Sequence, residues 1–387
     1  MRLMKRPTTI FVPAATLLAA CFFGVALSGS QAAPAAPPMA EQVFKNIQVL
    51  KGIPVDEFMG TMGFFATSTG LNCTDCHIDE SGGSWARYAD DNALKQQTRR
   101  MVVMMRTINQ ANFGGRQVVT CYTCHRGFSK PTVMPSINVL YGSPPPDEPG
   151  DLVAQVPNQP SPESVLDKFI AAAGGAQRLA AFTSFTAKGT YMGFDDADKS
   201  PMEIFARASG ERSTIVHTLL GDNTTTITPT AAWITAPPTD KPVALMDITG
   251  QELTGVQFDA SMFFPGRIKQ SLTKLRTGIP QILDDDKEVI QVQGNTPTGG
   301  TVTLLFDAET GLLSRLVRYN ESPVGRIVTR IDYHQYRDVA GVKLPVRWTV
   351  SWLSGRSQFE LTDIQPNVQI PAARFVKPAL SATRVVN

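Results

Sequence analysis

The sequence predicts an α+β chain: a mostly α-helical N-terminal unit and an antiparallel β-rich C-terminal unit, joined by a proline-rich stretch. Three observations carry this. Apolar residues recur at the helical period in "PVDEFMGTMGFF" (54–65) and "DDNALKQQTRRMVVMMRTINQ" (90–110). "PTVMPSINVLYGSPPPDEPGDLVAQVPNQPSP" (131–162) is rich in proline and has no periodicity. Beyond it, alternating apolar and polar stretches are separated by turn sequences such as "DAETG" (307–311) and "DVAG" (338–341). At 387 residues, 42% hydrophobic and 18% charged, the chain is long enough for two cores and is not of disordered composition. The expected divisions are a signal peptide over 1–32, a helical unit over 40–132, a linker over 133–160 and a β-rich unit opened by a helix over 161–378.

The N-terminus reads as a targeting segment. A short basic region, "MRLMKR", precedes the apolar run "TTIFVPAATLLAACFFGVAL", and Ser30 and Ala32 offer small residues to a signal peptidase. Loss of Arg2, Lys5 and Arg6 would change the formal charge from +2 to about −1. Two alternatives remain: an uncleaved apolar anchor, and a lipobox, "LAAC" (18–21), that would lipidate Cys21. All three readings place the mature chain outside the cytoplasm, in the periplasm or held at a membrane. Neither the charge nor its distribution suits nucleic-acid binding.

Apart from Cys21, the cysteines form two pairs, each followed at once by histidine: "CTDCH" (73–77) and "CYTCH" (121–125). C-x-x-C-H is the attachment pattern for haem c. Each thiol adds across one vinyl group, the two-residue spacer sets the sulfurs apart, and the histidine meets the iron. The rivals explain less. A disulfide across two residues closes a strained loop. A thioredoxin-type motif needs a βαβ context. A four-cysteine zinc site leaves the two histidines unexplained. The expectation is two covalent haems, on Cys73/Cys76 and Cys121/Cys124, with His77 and His125 as iron ligands.

An electron-passing haem takes a sixth ligand, and methionine raises the reduction potential relative to a second histidine. Each motif is preceded by a methionine-bearing helix. Pro54, Asp56 and Glu57 open the first, where Met59 and Met62 share a face. The second carries Met101, Met104 and Met105. One methionine per helix is expected to serve as ligand, and the rest to fill core.

"VFKNIQVLKGIPVDEFMGTMGFFATSTGLNCTDCH" (43–77), "RRMVVMMRTINQ" (99–110) and "VVTCYTCHRG" (118–127) together resemble the cytochrome c subunit of photosynthetic reaction centres, over roughly residues 40–132. That family repeats a helix, a turn and a haem motif, with the axial methionine in the helix. The resemblance implies Met62 and Met101 as the axial ligands, with Met59 and Met104 one turn away as alternatives. The family typically carries four haems, and this chain has two motifs, so the resemblance implies a shortened, two-haem relative.

In the remainder, Ser161 and Pro162 open a helix that runs to Gly174 and Gly175. Strand-like stretches follow at 184–194, 202–210, 213–223, 231–237, 302–319 and 326–355. "FDAETGLLSRL" and "YRDVAGVKLPVRW" resemble, more weakly, the lipoprotein-carrier half-barrel, one sheet folded over a helix, whose concave face can hold an apolar ligand. His217 and His334 fall in strand patterns and read as structural. "DDDK" (284–287) reads as a solvated turn. No nucleophile motif, phosphate loop or zinc helix is present. The chain is therefore expected to be an electron carrier more than a catalyst, working with redox partner proteins. A reaction-centre donor, or an electron-accepting module of an oxidoreductase whose second unit binds an organic or apolar ligand, are the alternatives.

Overall fold

The computed structural model describes residues 36–77, 85–134, 157–194, 196, 198–237, 242–283 and 286–379. The expected signal peptide with Cys21, most of the proline-rich linker and part of the "DDDK" turn lie outside the described residues.

The N-terminal part is helical. Helix α1 (Ala40–Val43) is a single turn. Helix α2 (Val55–Thr69) starts after Pro54, with Asp56 and Glu57 in its first turn where the helix dipole favours them, and stops at Gly70 in the left-handed region. Helices α3 (Cys73–Cys76) and α5 (Cys121–His125) are the two cysteine motifs. Between them α4 (Ala93–Phe113) opens where the Asn92 side chain accepts the Lys95 N–H, and closes at Gly114. Both long helices agree with the sequence expectation.

The C-terminal part opens with α6 (Pro162–Ala172), whose N-cap Ser161 accepts the Ser164 N–H, and α7 (Ala176–Ala181). Fourteen strands follow: β1 (Ser184–Met192), β2 (Ser200–Arg207), β3 (Arg212–Thr218), β4 (Gly221–Ile227), β5 (Ala232–Thr235), β6 (Leu245–Ile248), β7 (Thr273–Thr277), β8 (Gln281–Ile282), β9 (Glu288–Asn295), β10 (Thr301–Asp307), β11 (Leu313–Ser322), β12 (Gly325–Val339), β13 (Val342–Trp352) and β14 (Gly355–Pro366). They form one sheet, ordered β6-β5-β4-β3-β2-β1-β14-β13-β12-β11-β10-β9-β7, with β8 on β9. Every pair is antiparallel.

One face of this sheet is the main core. Phe185 and Ala187, Met202, Ile204 and Ala206, and Leu344, Val346 and Trp348 alternate onto it, and Leu166 and Phe169 of α6 pack there. A second helix, α8 (Gly250–Ser261), was not expected. Its Gly250, Thr254 and Gly255 are poor helix formers, and they blur the periodic pattern. The stretch 213–223, expected as one β-rich segment, is the tight β3–β4 hairpin turning at Leu219 and Leu220.

Helix α8 reveals the curvature. Gln257 donates to the Thr228 carbonyl at the end of β4 (2.8 Å), while Asp259 accepts from Arg318 on β11 (2.9 Å). Seven strand spacings separate β4 from β11 in the sheet order, on the order of 30 Å if the sheet were flat. A helix only about 10 Å across touches both, so the sheet curls around it as a half-barrel. The fold class is α+β, with a helical N-terminal part and a curved antiparallel sheet.

Candidate haem-attachment site

Both cysteine motifs are preformed helical turns. Asn72, just before Cys73, accepts the Asp75 N–H (3.0 Å), and the Asp75 carboxylate accepts the Asn72 N–H in return (2.8 Å). Thr120 and Thr123 form the same reciprocal pair around Cys121 (3.3 and 3.0 Å). In each case the residue before the first cysteine caps the turn and the second spacer residue answers it. The two cysteines of a motif are then three apart on a helix, on one face, with the histidine next in line. This capping pattern was legible in "NCTDC" and "TCYTC" but was not read from the sequence.

The thiols of Cys73, Cys76, Cys121 and Cys124 form no disulfide. Among the described residues no three His, Cys, Asp or Glu side chains converge as a metal site, so the four cysteines do not assemble as zinc ligands. Burial pushes the Cys121 thiol up to about 11, and burial together with Asp75 raises that of Cys76.

The histidines share one arrangement. His77 Nδ1 lies 3.0 Å from the Tyr88 carbonyl, and His125 Nδ1 lies 3.0 Å from the Phe128 carbonyl. A carbonyl can only accept, so Nδ1 carries the proton and Nε2 keeps the lone pair a metal needs. The His77 ring also stacks on Tyr88, with centroids 4.7 Å apart. Burial, and then the Lys95 charge, hold His77 below the ordinary histidine range, so it stays neutral at physiological pH.

The surroundings suit a large apolar macrocycle. Leu94, Val103, Met104, Val118, Tyr122 and Phe128 are all exposed within this short segment. With unpaired thiols at the right spacing and imidazoles held in the ligating tautomer, the residues fit haem c.

The motifs are tied to the long helices. The Asn92 amide, at the start of α4, donates to the Cys76 carbonyl (2.7 Å). The Gly127 N–H, just past the second motif, donates to the Ser68 carbonyl near the end of α2 (2.9 Å). There Gly70 approaches so closely that a β-carbon would stand 2.2 Å from the Gly127 oxygen, and its φ is +68°. Only glycine fits.

The candidate methionines are distributed unequally. Met62 and Met101 are half-buried and Met104 is exposed. Met59 packs with Val43, Val55 and Val243. Met105 is buried in the small core with Leu50, Phe64 and Val102. His217 and His334 are spent elsewhere: His217 pairs with Asp222 (2.8 Å), and His334 bonds Thr349 (2.8 Å).

Residues 24–167 match the family model described as the photosynthetic reaction centre cytochrome C subunit. A reaction center cytochrome c subunit of Thermochromatium tepidum is 40% identical over 104 residues, covering 25% of this chain and 24% of that protein. That of Rubrivivax gelatinosus is 35% identical over 112 residues, covering 25% and 28%. The chain thus spans about a quarter of the length of the curated relatives it matches. Among solved structures, a LolA superfamily protein of Nitrosomonas europaea is 14% identical at a TM-score of 0.37, covering 57% of this chain and 99% of that one. A DUF1329 family protein of Desulfovibrio piger is 9% identical at 0.39, covering 58% and 100%. At such scores these two add nothing to the fold read from the strand order. The segment bearing both motifs is similar to the photosynthetic reaction centre cytochrome c subunits, and the sheet begins at Ser184, beyond the matched residues.

Proposed function

We propose that this chain is an exported electron-transfer protein carrying two haems c, one on Cys73 and Cys76, the other on Cys121 and Cys124. The observation that supports it most is the repeated geometry of the motifs: a capped helical turn, unpaired thiols, and a histidine whose Nδ1 is tied to a backbone carbonyl. Bound haem supplies a one-electron ferric–ferrous couple. The chain's part is to tether the group through four thiols, to offer His77 and His125 Nε2 on one side, and to offer the Met62 and Met101 thioethers on the other. Held by a histidine and a methionine each, the haems would leave no place for a substrate and would serve relay and not turnover.

Covalent attachment takes place outside the cytoplasm, which agrees with the apolar N-terminal sequence. Among the described residues no helix is long and apolar enough to cross a membrane. The partners are redox proteins of the periplasm or membrane surface. A second reading, donation to a photosynthetic reaction centre, rests on the similarity of residues 24–167 to subunits of that name.

The test is the mass of the mature protein made in a host with haem-attachment machinery. Two haem additions that survive acid–organic extraction are expected. A mature mass with none overturns the reading. Haem reduction by a soluble donor protein then separates relay from a structural role.

A further inference from the structure

The helix that carries Met62 does not stand on the haem segment alone. It lies along the rim of the half-barrel where the β6–α8, β11–β12 and β13–β14 connections meet, and it is fixed there at three heights. At its start the Asp56 carboxylate accepts both the Thr249 N–H (2.6 Å) and the Thr249 hydroxyl (2.9 Å). Midway, Gly60 faces the Ile327 side chain, and the Phe64 ring lies on Gly325 so closely that a β-carbon there would sit 2.1 Å from the ring tip. Toward its end, Gly63 faces Ser354 and the Thr67 hydroxyl donates to the Leu353 carbonyl. Val324, from the β11–β12 turn, is fully buried and completes the small core made by Leu50, Phe64, Val102 and Met105.

These contacts define the rotation of α2 about its own axis. At about 100° per residue, Asp56, Gly60, Gly63, Phe64 and Thr67 fall on one face of the helix. Met62 lies about 140° from the middle of that face, and Met59 only about 85°. With the rim holding one face, Met62 lies off that face and packs against the small core of Leu50, Phe64, Val102, Met105 and Val324, while Met59 packs with Val43, Val55 and Val243. A helix free to roll by about 60° would bring Met59 to the bearing that Met62 holds.

We propose that the rim of the C-terminal sheet is the positioning element for the Met62 thioether, and that Phe64, Gly325, Asp56 and Thr249 are positioning residues for it. The sheet thereby tunes the first haem more than the second, because α2 is bonded to the rim along its length while α4 meets it at Val324. This rests on Met62 being an axial ligand, and the experiment separates the two ideas.

The full-length holoprotein is compared with Gly325→Ala, with Phe64→Leu/Gly325→Ala and with Thr249→Val. The readouts are the weak far-red sulfur-to-iron absorption of the ferric protein and the two reduction potentials. Gly325→Ala is expected to remove the share of the band that belongs to the first haem and to lower its potential, moving the other potential less. Phe64→Leu in the same chain removes the ring tip that the new methyl strikes and is expected to restore both in part, since the positive φ of residue 325 (+156°) still opposes any side chain there. Thr249→Val removes one hydroxyl bond without a clash and is expected to weaken the same share of the band. If Gly325→Ala fails to fold, the double variant and Thr249→Val carry the decision. Unchanged band and potentials in the folded rim variants, or equal shifts of both haems, overturn the proposal. Met62→Leu is the control: if it leaves the band intact, the ligand assignment fails; if it removes the band while the rim variants do not, the positioning role alone fails.

Discussion

Single backbone and side-chain groups decide how the proposed iron ligands are presented. The Tyr88 and Phe128 carbonyls set the tautomers of His77 and His125, and neither residue advertised that role in the sequence. The methionines are more legible because they recur on helices ahead of each motif. Met101→Leu is expected to abolish the far-red band of the haem on Cys121/Cys124 and to lower its potential, leaving the other haem unchanged. Met105→Leu, a volume-conserving change in the core, is expected to cost less than about 1.5 kcal/mol and to leave the spectrum alone. Asp56 is a different case. Burial raises its carboxyl above the ordinary range, against the bonds from Thr249. A raised carboxyl contributes stability below the unfolded value of about 3.9, and loses it as pH rises through the folded value. Relative to the wild type, Asp56→Asn should therefore gain stability across that rise, seen as a melting-temperature difference that grows with pH. A difference that shrinks instead would mean the Thr249 bonds outweigh burial.

At the scale of elements, legibility followed local chemistry. Helix α2, with Pro54 before it and Gly70 after it, and α6, opened by Ser161 and Pro162, were readable because their caps and periods agree. The β10–β11 and β12–β13 hairpins were readable because "DAETG" and "DVAG" mark their turns. Helix α8 was not, because what holds it is tertiary. Its Glu252 and Asp259 bracket Arg318 of β11, at 2.5 and 2.9 Å, inside the curve of the sheet. Burial pulls the Arg318 guanidinium down, but the two carboxylates outweigh it and hold it above its ordinary range; burial raises Asp259. Arg318→Met takes the cation from between Glu252 and Asp259, leaving Arg212 as the cation facing Asp259, and should cost about 3–5 kcal/mol in chemical denaturation. Neutralising Glu252 as well, as Arg318→Met/Glu252→Gln, should recover part of that loss.

Across the whole molecule, residues far apart in sequence complete one another. The expected boundary at the proline-rich stretch gave no hint that Val324 would finish the core of the haem segment, since that pairing has no local signature. Gln117 also reaches the Ser322 carbonyl (3.1 Å), a further tie between the motif-bearing segment and the sheet. A single protease cut within 135–156 should therefore leave both fragments co-eluting in gel filtration under native conditions. Their separation without denaturant would mean that the rim contacts contribute little.

The contact between Thr67 and Leu353 also bears on the order in which the molecule can form. The two residues are 286 positions apart, and a chain emerging N-terminus first from the ribosome delivers α2 long before the β13–β14 turn. Until the earlier β11–β12 turn arrives, Phe64, Val102 and Met105 have no Val324 to close over them. Closing so long a loop makes the final docking a late and slow event. Both cysteine motifs, whose turns are capped by residues only three positions away, need not wait for it. The thiols are thus presented in their native spacing on a chain that is still open, and the helix behind the first motif acquires its fixed rotation only when the last strands are home.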